Sequence, residues 1–131
     1  MREIDDKTNA LSSLVIGAAI EVHRTIGPGY TEGVYEEALA IELEIRRIPF
    51  RRQYGFQINY KGKVVGTGRV DLLVDDLLVV ELKSVEAIQA VHRSQVFSYL
   101  KATGTELGLI LNFRTTTMKD GIERVVRSVL P

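Results

Sequence analysis

Three ionisable residues lie within apolar sequence near the middle of the chain. Glu81 and Lys83 follow the run Leu77-Leu78-Val79-Val80, and Asp71 directly precedes Leu72-Leu73-Val74. If residues 77–84 form a strand, Glu81 and Lys83 share one face of it, because successive side chains alternate between faces. A carboxylate and an ammonium group in such a setting are costly unless they are paired, hydrated or bound to a metal ion.

Asp71 and Glu81 lie on either side of Asp75-Asp76, which predicts a hairpin turn. A two-residue turn would place Asp71 opposite Val80, so a meeting with Glu81 requires an odd-length loop or a β-bulge, and we predict one of these. Two carboxylates at one point suit Mg²⁺, and a nearby lysine can orient or deprotonate a water molecule. The alternative is a buried Lys83 salt bridge with a purely structural role.

Two helices are predicted ahead of this hairpin. Apolar residues recur at helical spacing from Leu11 to Ile26, with Thr8 or Asn9 as the N-cap and a stop at Gly27-Pro28-Gly29. Thr31 is the expected N-cap of a second helix, which ends before Pro49.

Strands dominate the rest of the chain. Alternation and apolar runs predict strands over 56–60, 64–74, 77–84, 107–112 and 122–129, with a helix over 86–103 that Gly104 ends. The third strand, this helix and the fourth strand predict a parallel βαβ crossover. We expect one domain over residues 1–131. Its fold class is α/β, with a mixed α+β sheet, and its helices and strands follow the order ααβββαββ.

A family resemblance adds to this interpretation. Asp71 followed by Glu81-Leu82-Lys83 resembles the D…(D/E)xK signature of the PD-(D/E)xK nuclease superfamily. The segment 29–35, GYTEGVY, is similar to the G-x-x-E-x-x-Y pattern of the GxxExxY proteins, a branch of that superfamily. The resemblance extends from about Leu11 to Arg124. It implies a restriction-endonuclease-like core, a central mixed sheet flanked by helices. One departure is Val70, which stands where the signature has proline.

The resemblance also implies a function. It implies a nuclease that hydrolyses phosphodiester bonds in nucleic acid, DNA rather than RNA, with Mg²⁺ as cofactor and Mn²⁺ as a substitute. Asp71 and Glu81 match the metal-binding acids, Glu32 a further metal ligand, and Lys83 the catalytic lysine. Gln95 and Tyr99, spaced i and i+4, match residues that the following helix contributes to the active site. The expected catalytic residues are therefore Asp71, Glu81, Lys83, Gln95 and Tyr99.

Three further residues are expected to support the site rather than to react. His92 lies one turn before Gln95 and could face the same cleft, and His23 lies close to the segment 29–35. A lone histidine more often makes a structural hydrogen bond than it ligates or transfers protons. Tyr35 is expected to pack or to form a hydrogen bond beside the site.

Charge is unevenly distributed along a chain whose 17 basic and 17 acidic residues balance. Residues 1–45 are acidic, whereas residues 46–70 hold seven basic residues and no acidic one. Zero net charge argues against coating DNA through bulk electrostatics. The basic segment predicts either a phosphate-binding edge or a hairpin that balances an acidic helix. The candidate nucleic-acid contacts are Arg51, Arg52, Lys61, Lys63 and Arg69.

Other classes of protein are disfavoured. The absence of cysteine excludes a disulfide framework and a thiol nucleophile. Acidic residues near the N-terminus are atypical of a signal peptide, and residues 14–20 are too short an apolar run to span a membrane. We expect a cytoplasmic protein without membrane association. A two-fold homodimer would supply two sites for duplex cleavage. The alternative function is a non-catalytic module that binds nucleic acid or protein on a nuclease fold.

Overall fold

Five strands form a mixed sheet in the computed structural model, which describes residues 4–127. The elements are α1 (Asp6–Ile26), α2 (Glu32–Ile45), β1 (Phe50–Tyr60), β2 (Lys63–Val74), β3 (Leu78–Lys83), α3 (Ala90–Thr103), β4 (Leu107–Asn112), a short 3₁₀ helix (Lys119–Gly121) and β5 (Ile122–Val126). This confirms the predicted class and the order ααβββαββ. The predicted end of the last strand, Val129, lies outside the described residues.

The strands lie side by side in chain order, from β1 to β5. β3 and β4 are parallel and are joined by α3, as predicted, and the other neighbouring pairs are antiparallel. β3 is therefore central, and its apolar run is buried on both faces.

Helices cover both faces of the sheet. α1 and α2 enclose one hydrophobic core, to which β3 contributes Leu78, Val80 and Leu82. α3 covers the other face, where Val96 and Leu100 pack against Val79 and Ile110. Gly108 lets α3 approach β4 closely, since a Cβ atom there would lie 2.7 Å from Val96 Cγ1.

The helix ends differ in part from the sequence prediction. α1 begins after Asp5, whose carboxylate accepts the Thr8 N–H at 2.7 Å, so the predicted cap at Thr8 or Asn9 is wrong. Thr31 is the N-cap of α2, as predicted. α3 begins four residues later than predicted because Gln89 and His92 form a reciprocal cap at its start. Gly104 ends α3 with φ of 72°, as predicted. No helix within residues 4–127 combines the length and the apolarity needed to cross a membrane.

The loop between β2 and β3 contains three residues. Asp75 and Asp76 have positive φ of 51° and 56°, and the Leu77 N–H donates to the Val74 carbonyl at 3.0 Å. Val74 then pairs with Leu78, which leaves residues 75–77 outside the ladder. This odd loop length confirms the prediction, because it brings Asp71 opposite Glu81.

The hairpin of β1 and β2 changes faces at Gln53. Phe50 and Leu72 belong to the core under α1 and α2, whereas Tyr54 and Val70, which pair with each other, belong to the core under α3. Gln53 lies between them with φ of 49°, a left-handed conformation that reverses the side-chain alternation. Beyond this point the hairpin extends past the core, and residues 57–65 are exposed.

Candidate active site

Asp71 and Glu81 meet where the ladder between β2 and β3 ends. The Cα pairing continues from Val74–Leu78 to Leu72–Val80 and stops there. The Asp71 N–H donates to Glu81 Oε1 at 2.8 Å, and the Leu82 N–H donates to Asp71 Oδ2 at 2.9 Å. Carboxylate oxygens thus join the two strands in place of backbone carbonyls, and the two acids lie side by side at one point.

Glu81 is held in an unfavourable setting for a charged carboxylate. Its side chain is buried, with 5% of the residue exposed. Burial, and then the neighbouring charge of Asp71, raise the pKa of Glu81 to about 8, against the opposing effects of its backbone hydrogen bond and of Lys83. At neutral pH the apo site therefore retains a proton on this acid pair.

Lys83, Gln95 and Tyr99 lie on the same side of the sheet as the acid pair. Lys83 Nζ donates to Gln95 Oε1 at 3.3 Å, and Gln95 in turn contacts the Tyr99 hydroxyl. Burial and the charges of Glu81 and Asp71 raise the pKa of Tyr99. The structure thus brings together the five residues expected to be catalytic.

Lys83 forms no ion pair with a carboxylate among the residues described. Lys83 is half-buried and close enough to Glu81 to lower the pKa of that acid, and its hydrogen bond goes to a neutral amide. The structural salt bridge considered from the sequence is therefore not what holds Lys83. An ammonium group without a bonded anion is available to bind one.

Gln53 is a site residue that the sequence analysis missed. It lies in the left-handed position where the hairpin changes faces, and its Nε2 donates to Asp71 Oδ1 at 3.3 Å and to Glu36 Oε1 at 2.6 Å. Its side chain therefore links Asp71 to α2. The available signal was its position, since Gln53 interrupts the alternation between Phe50 and Phe56.

Glu32 lies at the start of α2 beside the end of β3. Its Oε1 accepts the Ser84 N–H at 3.3 Å, and the Ser84 hydroxyl donates to the Tyr30 carbonyl at 3.0 Å. The segment 29–35 is thus tied to the residue that follows Lys83. Glu32 approaches the site, but it does not form one three-acid group with Asp71 and Glu81.

Tyr35 organises the turn that carries Glu32. Its buried hydroxyl donates to the Gly27 carbonyl at 2.6 Å and accepts the Tyr30 N–H at 3.2 Å, while its ring stacks on Phe113 at 4.4 Å. His23 is also buried, and its Nε2 lies 2.8 Å from the Thr115 carbonyl. His92 lies in the α3 cap, where Nδ1 accepts the Gln89 N–H.

Asn112, which the sequence analysis did not single out, fixes the chain after Lys83. It pairs with Lys83 across the parallel strands, and its buried amide both accepts from and donates to the backbone of Val85. The Phe113 N–H donates to the Lys83 carbonyl at 2.9 Å. The backbone of Lys83 is therefore held from the β4 side.

The donor atoms of the acid pair suit a hard divalent cation. Two carboxylates supply oxygen ligands only, and a cation between them would offset the burial and the repulsion by Asp71 that together raise the pKa of Glu81. No group of three or more acidic or histidine residues among residues 4–127 is arranged to hold a metal ion. A cation here would keep several waters, as Mg²⁺ commonly does.

The basic residues of the hairpin fall into two sets. Arg52 pairs with Glu36 at 2.9 Å and Glu37 at 2.6 Å, which raises its pKa, and Arg51 pairs with Asp76 at 3.0 Å. Lys61, Lys63 and Arg69 are exposed and form no ion pair with another described residue. All five remain predicted nucleic-acid contacts, and the second set has the more accessible charges.

Comparison with known proteins agrees with this geometry. The sequence pattern that defines a family of the PD-(D/E)XK nuclease superfamily matches residues 9–125, and the chain therefore belongs to that superfamily. The crystal structure of SSO0001 shares the fold, with a TM-score of 0.51 and 14% sequence identity over 90% of this chain and 78% of that one. At that identity the likeness concerns the fold alone. No curated protein sequence matches the chain.

Proposed function

We propose that this protein is a metal-dependent nuclease that hydrolyses phosphodiester bonds in nucleic acid, with DNA as its substrate. The observation that supports this most is the meeting of Asp71 and Glu81 beside Lys83, whose ammonium group has no carboxylate partner in the described chain. We also propose that the chain belongs to the GxxExxY branch, because residues 29–35 carry that pattern, and that the protein is cytoplasmic.

In this mechanism Asp71 and Glu81 would hold Mg²⁺, with Mn²⁺ as a substitute. Glu32, which stands apart from the acid pair, would act as a further ligand through a water bound to the ion. The ion would supply charge stabilisation at the phosphoryl oxygens and lower the pKa of a bound water. Lys83 would bind a non-bridging phosphate oxygen and orient the attacking water. Gln95 would fix the Lys83 ammonium, and Tyr99 would donate a hydrogen bond to the phosphate. Gln53 would keep Asp71 in place.

The test uses substitutions that preserve shape. Asp71→Asn, Glu81→Gln and Lys83→Met should each lower Mg²⁺-dependent hydrolysis of labelled DNA by roughly a hundredfold or more, because each removes charge from the reacting centre. Lys119→Met, an exposed lysine far along the chain, should retain wild-type activity. Equal inertness of the wild type and all three variants, across DNA, RNA, Mg²⁺ and Mn²⁺, would overturn the proposal.

The alternative is a non-catalytic nucleic-acid- or protein-binding module. One observation favours it, because the described residues gather two acids at this point rather than three. Isothermal titration with Mg²⁺ and Mn²⁺ at pH 8.5 separates the two functions. Binding that Glu81→Gln abolishes supports the nuclease, and no binding of either ion supports the module.

A further inference from the structure

An open groove lies between the projecting hairpin and α3, next to the candidate active site. It has a volume of about 570 Å³, within the range of small-ligand sites. Phe56, Ile58 and Gly68 form the hairpin wall, and Tyr99, Lys101 and Ala102 form the helix wall. Tyr99 belongs to both places, because its hydroxyl contacts Gln95 while its ring meets Phe56 at 5.2 Å.

The groove combines apolar walls with positive charge. Ile58 is 46% exposed and presents its side chain without a core to cover it. Gly68 lets the Phe56 ring lie directly against the β2 backbone, since a Cβ atom there would lie 2.5 Å from Phe56 Cζ. Lys101 lines the groove, and Lys61 and Lys63 lie at the end of the same hairpin. The basic segment 46–70, free of acidic residues, forms most of the hairpin.

We infer that this groove binds the base of an unpaired nucleotide adjacent to the scissile phosphate. The inference rests on the proposed function and specifies its substrate class as single-stranded or frayed nucleic acid. An unstacked base exposes two apolar ring faces, which suit Phe56 and Ile58, and its flanking phosphates suit the lysines. A base inside a duplex is stacked on both sides and cannot enter a groove of this kind.

The experiment compares three DNA probes of equal length by fluorescence anisotropy in EDTA, where no hydrolysis occurs. The probes are a single strand, its blunt duplex, and the same single strand with abasic sites in place of bases. We expect the wild type to bind the intact single strand about tenfold more tightly than either other probe, as one or two stacked bases would provide. A single-stranded RNA arm determines whether the sugar matters.

Two hairpin variants form a matched pair. Ile58→Glu and Val65→Glu place the same charge on exposed apolar positions, but only Ile58 lines the groove. Ile58→Glu should weaken single-strand binding about tenfold more than Val65→Glu, with equal effects on duplex binding. Lys101→Gln should also weaken it, and Lys119→Gln should not. Thermal melts establish that each variant folds.

Two results would overturn the groove: equal affinity of the wild type for intact and abasic strands, or equal losses in Ile58→Glu and Val65→Glu. Single-strand binding of the expected kind, by a protein that hydrolyses nothing, would support the groove and overturn the nuclease. Hydrolysis with no preference for unpaired bases would support the nuclease and overturn the groove.

Discussion

At the scale of single residues, the acid pair stores an electrostatic cost that a cation would relieve. Glu81 has 5% of its surface exposed, and its pKa of about 8 arises from burial and from Asp71. In the unfolded chain the pKa of this carboxyl returns to its ordinary value of 4.5. The folded state therefore binds more protons between these values, and the contribution of Glu81 to stability is full at low pH and is lost as pH rises through about 8.

This gives a prediction for the apo protein in EDTA. Between pH 5 and pH 9 the wild type should lose roughly 3 to 4 kcal/mol of its free energy of unfolding relative to Glu81→Gln, which keeps the shape of the side chain and cannot ionise. Urea unfolding at the two pH values measures the difference. Glu86→Gln, at an exposed position, should follow the wild type. Parallel pH dependence of the wild type and Glu81→Gln would contradict the assignment.

The sequence revealed the acids and the lysine but not what surrounds them. Asp71, Glu81 and Lys83 stood out because charge within an apolar run is costly, and the odd loop followed from strand alternation. Gln53 and Asn112 could not be found in this way, because a polar residue at a strand position or strand end is ordinary. Their importance depends on a left-handed φ and on a buried contact to Val85, and both are tertiary facts.

At the scale of elements, the inversion in β1 positions Asp71. Gln53 contributes twice, through its left-handed backbone and through its side-chain bonds to Asp71 and Glu36. Glycine adopts this backbone without strain, whereas alanine does not. Glycine and alanine variants therefore separate the two contributions.

Gln53→Gly and Gln53→Ala should lower nuclease activity to the same extent, roughly tenfold, because both lose the bond to Asp71. Their stabilities should differ, with Gln53→Gly the more stable by about 1 kcal/mol. Chemical denaturation and initial rates measure the two effects. Gln57→Ala, on the exposed part of the same strand, is the control. If Gln53→Ala were less active than Gln53→Gly in proportion to its lower stability, Gln53 would act through its backbone conformation alone.

The turn between α1 and α2 gives a second prediction at this scale. Tyr35→Phe keeps the ring stack on Phe113 but removes the hydroxyl that holds Gly27 and Tyr30. We expect a loss of about 1 kcal/mol in unfolding free energy, because the Gly27 carbonyl and the Tyr30 N–H lose a partner in a partly buried turn. Activity should fall as well, since this turn holds Glu32 and Tyr30 against Ser84. An unchanged rate in a destabilised variant would limit Tyr35 to a structural role.

At the scale of the whole molecule, the balanced net charge conceals a difference between paired and exposed basic residues in the hairpin. Arg51 and Arg52 bind acids of the same molecule, whereas Lys61 and Lys63 extend into solvent at its far end. The basic segment could be predicted from the sequence, but the difference between its members could not, because ion pairs between distant elements are visible only in the folded structure. Affinity for nucleic acid should therefore be modest and sensitive to salt.

Neutralising both lysines, Lys61→Gln with Lys63→Gln, should reduce the slope of log affinity against log salt by about 1 to 2, the amount expected for one or two lost phosphate contacts. Arg51→Gln with Arg52→Gln should change the slope less, because those charges are already compensated. Anisotropy titrations between roughly 50 and 300 mM KCl provide the measurement. A larger change in slope for the arginine double variant than for the lysine one would show that the arginines, and not the lysines, contact the phosphates.

The carboxylate contacts between β2 and β3 have one more consequence, for spectroscopy. The amide protons of Asp71 and Leu82 bond to the same two carboxyl groups that would receive a cation. Any ion that draws those oxygens away must weaken both amide bonds. In a ¹⁵N-labelled sample the two resonances should therefore shift upfield together on titration with Mg²⁺, at one shared concentration. The backbone thus carries its own pair of nuclear-spin reporters of occupancy, which need no substrate and no turnover.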